Sequence, residues 1–328
     1  MKKALTYLCI AILILALSSC STRTVQSENE GSVTIKNYMG KDVIINSAPK
    51  RIIILPFWEA EMVLDMIDTD RIVALSSLID SEVTSPSAGK AAKVEGRVSS
   101  NEAEKIISLT PDLVLLDSFH DSDGSLTATL SGAGITVLTL SSPVTFEDIG
   151  DRLGTISKAV FAPEKGQQLK QEMTQRLNAV GEKVSGLSEK MKVMYYEESL
   201  DNSGKTTGVL CAYGKESNFE AIASAAGCIN VCTADTYSPV GKETVINDWK
   251  PELLVVPGMM YDSNFKAVDD KGATVISAIK NDKVLSTLPA VKDGRIVVIQ
   301  DKYRGSTSHY MAYAVEELAK ACYPELFN

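Results

Sequence analysis

Pro111-Asp-Leu-Val-Leu-Leu116 and, 140 residues further on, Pro251-Glu-Leu-Leu-Val-Val256 spell one pattern twice. Each is a proline, an acidic residue and then an unbroken apolar run. A run without alternation marks a strand covered on both faces, as parallel strands are. Around the first copy, residues 51–55, 71–75 and 135–140 read as further strands. Residues 59–68, 103–109 and 126–131 read as helices between them, the last closed by Gly132 and Gly134. Before them, residues 33–45 alternate apolar and polar around Gly40, the mark of a hairpin. Around the second copy, residues 193–196 and 295–300 read as strands, and 219–226, 244–249, 275–279 and 310–322 as helices. Strands alternating with helices predict an α/β fold with mostly parallel sheet.

The two sets are separated by residues 163–184, PEKGQQLKQEMTQRLNAVGEKV. Leu169, Met173, Leu177, Val180 and Val184 recur at helical spacing, and Pro163 suits a first turn. The strand at Lys192 stands at the same 140-residue offset from Ile52. The pattern predicts two Rossmann-like α/β lobes joined by a single long helix, with a ligand cleft between them at the strand ends. The expected limits are 33–160 for the first lobe, 161–186 for the joining helix and 187–328 for the second lobe.

The amino terminus has a different texture. Lys2 and Lys3 precede an apolar run from Ala4 to Leu17, then Ser18-Ser19-Cys20. About 14 residues make roughly 21 Å of helix, short for a bilayer core of about 30 Å and right for a signal peptide. A cysteine directly after small residues resembles the bacterial lipobox, so residues 1–19 are expected to be a signal peptide and Cys20 a lipidated, membrane-anchored residue. Residues 20–32 hold one apolar side chain beyond Cys20, Val25, and read as a flexible tether. Formal net charge is -9, and the loss of Lys2 and Lys3 makes it more negative, which argues against a nucleic-acid partner. With Cys9 in the signal, Cys211, Cys228, Cys232 and Cys322 remain. Outside the cytoplasm they could pair or stay as buried thiols, and Cys228 and Cys232 could sit one turn apart on a helix.

In this order, the pieces resemble the iron-complex and cobalamin class of periplasmic binding proteins, over residues 33–327. The carriers are Pro49–Pro56 (PKRIIILP), Glu61, Asp70–Leu75 (DRIVAL), Asn101–Val114 (NEAEKIISLTPDLV) and Gly132–Val137 (GAGITV). In the second half they are Ala212-Tyr-Gly214, Phe219–Gly227, Glu243–Leu254, Lys292–Val298 and Tyr323–Phe327. The resemblance implies a rigid, monomeric two-lobed binder with modest closure, which hands a siderophore, haem or corrinoid to an ABC permease and its ATPase. It also implies one docking glutamate per lobe. Glu104, seven residues before Pro111, matches the first; Glu243, eight before Pro251 where seven is usual, is the second candidate.

No catalytic pattern accompanies this. There is no G-x-S-x-G elbow, and Gly132-Ala-Gly134 lacks the third glycine of a dinucleotide loop. The reading is therefore a binding protein, not an enzyme, without resident metal or cofactor. The two histidines, His120 and His309, are too few for a bare zinc or manganese site. Candidate ligand contacts lie on loops after the strands. Phe57 and Trp58 could pack on a flat ligand or be covered by their own helix. His120 could meet haem iron or cobalamin, or be a solvated loop residue. Tyr213, Tyr237 and Tyr261 could ligate ferric haem or hydrogen-bond an organic ligand, and Arg304 could pair with a carboxylate or phosphate. An iron complex is the favoured ligand. A corrinoid, or a sensor role for the same fold, is the alternative.

Overall fold

The two spellings of the opening pattern do the same structural job. In the computed structural model, which describes residues 31–200, 206–261 and 266–328, Asp112 accepts the backbone N–H groups of Lys50 (2.7 Å) and Arg51 (2.9 Å). Glu252 accepts that of Lys192 at 2.8 Å. Each acidic residue thus caps the start of the neighbouring strand, where a donor would otherwise lack a partner. The residues before the two prolines, Thr110 and Lys250, both have φ 46°, a left-handed bend that turns the chain from helix into strand. The signal segment, Cys20 and residues 21–30 of the tether lie outside the described residues.

The first sheet is β3(Ile52–Ile54), β4(Ile72–Leu75), β5(Gly96–Arg97), β6(Leu113–Asp117) and β7(Thr136–Leu140), all parallel in the order β5-β4-β3-β6-β7. The hairpin β1(Val33–Lys36) and β2(Asp42–Ile45) precedes it, turning at Gly40 with φ 75°. The second sheet contains β8(Lys192–Leu200), β9(Thr206–Tyr213), β10(Ile229–Asn230), β11(Tyr237–Pro239), β12(Leu253–Pro257) and β15(Ile296–Ile299). Its main path is β11-β9-β8-β12-β15, with β10 beside β8.

The second sheet departs from the expected parallel pattern. β8 runs parallel to β10 and β12 but continues past Tyr196 to pair antiparallel with β9, which pairs antiparallel with β11. A further hairpin, β13(Met259–Tyr261) with β14(Ala267–Asp269), stands apart. Residues 244–249, expected as one helix, are a short turn of helix at Lys242–Thr244 followed by a wide i→i+5 turn at Val245–Trp249. Cys228 and Cys232 are not on a helix; they flank β10.

The helix Pro163–Val184 forms as its spacing predicts. It packs on the first-lobe helix Phe146–Ala159 on one side and on the last helix, Met311–Cys322, on the other. Gly166 is needed at the first contact, where a Cβ would lie 2.3 Å from Cβ of Ser157. One continuous apolar core runs from Ile52 and Leu113 through Leu169, Met173 and Val180 of this helix to Val193, Phe219 and Leu318. Each of those side chains contributes about 1.5–3 kcal/mol by leaving water. A hinge that separated the lobes would reopen part of that core, so closure is restricted. Residues Val33–Asn328 accordingly pack as one unit.

Candidate functional site

The carboxyl ends of parallel strands of both sheets bring loops to one place. Phe57 follows β3, Leu78 follows β4, Met259 follows β12, and Asp301 and Arg304 follow β15. Together with Ser81, Thr84 and others they line a cavity of about 530 Å³ with a wall from each lobe. That is the size range of small-molecule sites.

The second-lobe wall is built around Arg304, which is 8 % exposed. Its guanidinium lies over Tyr195 (4.7 Å to the ring centre) and Tyr213 (5.1 Å), and donates to Asp301 Oδ1 at 3.2 Å. Asp301 Oδ2 in turn accepts the N–H groups of Gly258 (2.7 Å) and Met259 (3.0 Å), which fixes the loop after β12. Burial alone would disfavour the charge on Arg304, but the tyrosines, Asp301 and Glu197 around it hold it firmly cationic. Its Nε and the Glu197 Oε2 have no partner among the described residues. Burial pushes the Glu197 carboxyl up. Tyr213 packs against Tyr237 at 4.8 Å, and Tyr237 is 45 % exposed.

In the first lobe, outside the cavity lining, a second cluster is organised by Asp117, the last residue of β6. Its Oδ2 accepts Trp58 Nε1 and Ser142 Oγ, each at 3.0 Å. Its Oδ1 accepts the backbone N–H groups of Phe119 and His120 and lies 2.7 Å from His120 Nδ1. Burial pushes the Asp117 carboxyl up, but these donors, His120 first, hold it down to about 2. An ionised carboxylate has no proton to give, so Nδ1 of His120 is the donor. In the neutral ring Nε2 then carries the lone pair. That nitrogen makes no hydrogen bond among the described residues, and His120 is half-buried beside an 84 % exposed Phe119.

Below the cavity the lobes are tied by two carboxylates of the helix Phe57–Met66. Glu61 accepts hydroxyls from Ser85 of its own lobe and from Ser306 and Ser308 before the last helix, all at 2.6 Å. Asp65 accepts His309 Nε2 (2.9 Å), Tyr310 Oη (2.6 Å) and Lys90 Nζ. Burial raises Glu61 to about 7 despite its three donors. Asp65, although burial pushes it up, is held at about 2 by His309, Lys90 and Tyr310.

The structure therefore brings Phe57 and Arg304 into one cavity and places Tyr213 and Tyr237 behind Arg304. His120 stands on the same strand-end edge as Phe57, beside the cavity and not in its lining. Trp58 is corrected: it is 2 % exposed, with its ring in the core and its one polar atom on Asp117. It supports His120 from below and offers no face to a ligand. Tyr261 ends β13, but its side chain lies outside the described residues. Glu104 and Glu243 are both exposed, and each is the second residue of a short helix, Ala103–Ser108 and Lys242–Thr244. Asp117, Asp301, Glu197 and Met259 were not singled out in the sequence. Asp117 had a readable signal, an acidic residue at the end of a buried apolar run, where a charge must meet donors.

A two-lobed frame with its cavity at the strand ends, joined by one long helix, is matched in sequence as well. The profile of the periplasmic binding protein family matches residues 53–303. The chain belongs to that family. It is 26 % identical, over all of its length and 99 % of the other, to YvrC of Bacillus subtilis, described as an uncharacterized ABC transporter substrate-binding lipoprotein. Among solved structures, a periplasmic binding protein from Veillonella parvula superposes with a TM-score of 0.73 at 20 % identity, covering 88 % of this chain and 97 % of that one. The periplasmic haem-binding protein RhuT of Roseiflexus superposes with a TM-score of 0.68 at 19 % identity, covering 84 % and 99 %. These likenesses show the shared fold. No helix among the described residues is long and apolar enough to cross a membrane.

Proposed function

We propose that this protein is the membrane-anchored substrate-binding component of an ABC importer, and that it captures an iron complex, a siderophore or haem, between its lobes. The observation that carries the ligand reading is His120. Its Nδ1 is fixed by a buried carboxylate, the arrangement that orients metal-binding imidazoles and directs the other nitrogen outward. One imidazole and one buried guanidinium make a poor cage for a bare ion. They suit a metal whose other positions are already filled and whose periphery carries acidic groups for Arg304. The haem- and iron-binding descriptions of several fold relatives point the same way.

In this reading the lipid on Cys20 and the tether keep the receptor near its permease, which raises its effective concentration there. Glu104 and Glu243 supply one exposed charge per lobe for docking; such pairs set orientation and association rate more than affinity. The mature chain acts as a monomer. Titration of the mature protein with haem, ferric siderophores and cobalamin, followed by fluorescence quenching, tests the ligand. Saturable binding of haem or a ferric siderophore is expected. Binding of cobalamin alone would transfer the assignment to corrinoids, and binding of none would remove the receptor reading.

A further inference from the structure

The four cysteines of the lobes are buried and unbridged in the structure, and two of them face each other. Cys228 follows the helix Asn218–Ala225 by way of Gly227, whose φ is 75°. Cys322 is the last residue of the helix Met311–Cys322. These helices pack together, and Cys228 and Cys322 are neighbours in one buried core cluster. Tyr323 fixes the register. Its hydroxyl donates to Gly227 O at 2.9 Å, accepts the Met191 N–H at 2.8 Å and lies 3.9 Å from Cys228 Sγ. The chain on both sides of the sulfur pair is thus pinned by one buried side chain. Cys211 instead lies in β9 opposite Pro239, and Cys232 belongs to a separate core cluster with Met194 and Val245.

We propose that Cys228 and Cys322 are joined by a disulfide in the exported protein, stapling the last helix to the second lobe. The export rests on the lipoprotein reading given above. Tyr323, next to Cys322 in the chain, brings its hydroxyl to 3.9 Å from Cys228 Sγ, so the two cysteines stand close enough for a small adjustment to form an S–S bond of about 2.05 Å. Cys228, in place before the last helix arrives, is the attacking sulfur. The oxidant is a dithiol–disulfide exchange protein of the compartment outside the membrane. The Cys228 thiolate attacks one sulfur of its disulfide and expels the other as a thiolate. Cys322, giving up its proton, then attacks Cys228 in the mixed disulfide, forms the protein S–S bond and expels the second thiolate. Two electrons and two protons leave the pair, and the exchange protein ends as a dithiol. Both thiols are 5 % exposed or less once folded, so the exchange occurs before the last helix seats.

The test uses the full chain, exported from its own signal and quenched in acid. It is unfolded, alkylated with or without prior reduction, and weighed intact. The proposal expects two more alkylated cysteines after reduction, and a linked peptide pair containing Cys228 and Cys322. Cys322→Ser abolishes that difference, and Cys211→Ser leaves it at two. Reduction of the folded protein lowers the thermal midpoint by roughly 5–10 °C, for a closed loop of this length in a chain of this size. An exported chain whose alkylation count is the same with and without reduction overturns the disulfide and leaves the receptor reading untouched. A chain that fractionates with the cytoplasm overturns the export on which the disulfide depends. The mass measurement on the unmutated chain needs no variant to fold.

Discussion

Replacing Glu61 with glutamine separates the charge on the interlobe tie from its shape. Glu61 is fully buried and accepts three hydroxyls, two of them from the far lobe. Burial nevertheless lifts its carboxyl from 4.5 to about 7. A folded-state value above the unfolded one means the native protein holds the proton more tightly. The resulting stability is complete below about pH 4.5 and is lost as pH rises through about 7. At about 1.36 kcal/mol per unit, the loss between pH 4 and pH 8 is about 3 kcal/mol. Glutamine mimics the neutral form, and serine hydroxyls can turn to accept from it as readily as they donate. Glu61→Gln should therefore gain about 3 kcal/mol on the unmutated protein between pH 4 and pH 8, measured by urea unfolding. Asp65 and Asp117, each held near 2, lose their contribution only below this window. Burial keeps Glu59 raised in both proteins, so its effect cancels. A stability difference that stays constant within about 0.5 kcal/mol across the range would refute the argument.

Other outcomes follow from the same geometry. Glu104→Ala and Glu243→Ala should each cut import at least tenfold in whole cells, with ligand affinity of the purified protein unchanged within about twofold. Asp117→Asn puts one amide N–H where a donor now points, so it should cost about 2–4 kcal/mol in chemical unfolding and weaken ligand binding. His120→Ala should weaken binding and, by removing a donor from the buried Asp117 carboxylate, cost about 1–3 kcal/mol in unfolding. Gly166→Ala, forced against Ser157, should destabilise by more than about 2 kcal/mol. Gly181→Ala on the same helix meets nothing within 4 Å and should stabilise by up to about 1 kcal/mol; thermal midpoints check both.

What the sequence made legible was whatever periodicity encodes. The apolar runs at 52–54, 113–116 and 253–256 and the spacing from Leu169 to Val184 come from burial on one or both faces, and burial leaves a regular trace. β9 left a fainter one: Val209–Tyr213 is apolar and strand-favouring, but Gly208 interrupts it, and its antiparallel place beside the far half of β8 is set by pairing that no local pattern records. Cys228 and Cys232 fit a helical turn on paper, but Gly227 bends the chain and β10 extends it. At the site, Phe57 and Arg304 could be placed because they follow predicted strands. The side on which Trp58 would fall could not, since that depends on whether its N–H finds a buried acceptor, and Asp117 is 59 residues away. The tie at Glu61 joins residues more than 240 positions apart, a separation that no local pattern records.

The central claim is that an iron complex sits between the lobes, beside His120 and over Arg304. Crystals of the mature protein grown with haem or a ferric siderophore, and measured at the iron absorption edge, test it most directly. The account predicts one strong anomalous peak in the cavity between Phe57 and Arg304, within reach of His120 Nε2 if the complex is haem. Iron bound only on the outer surface, or a cleft that stays without iron at saturating ligand, would contradict it.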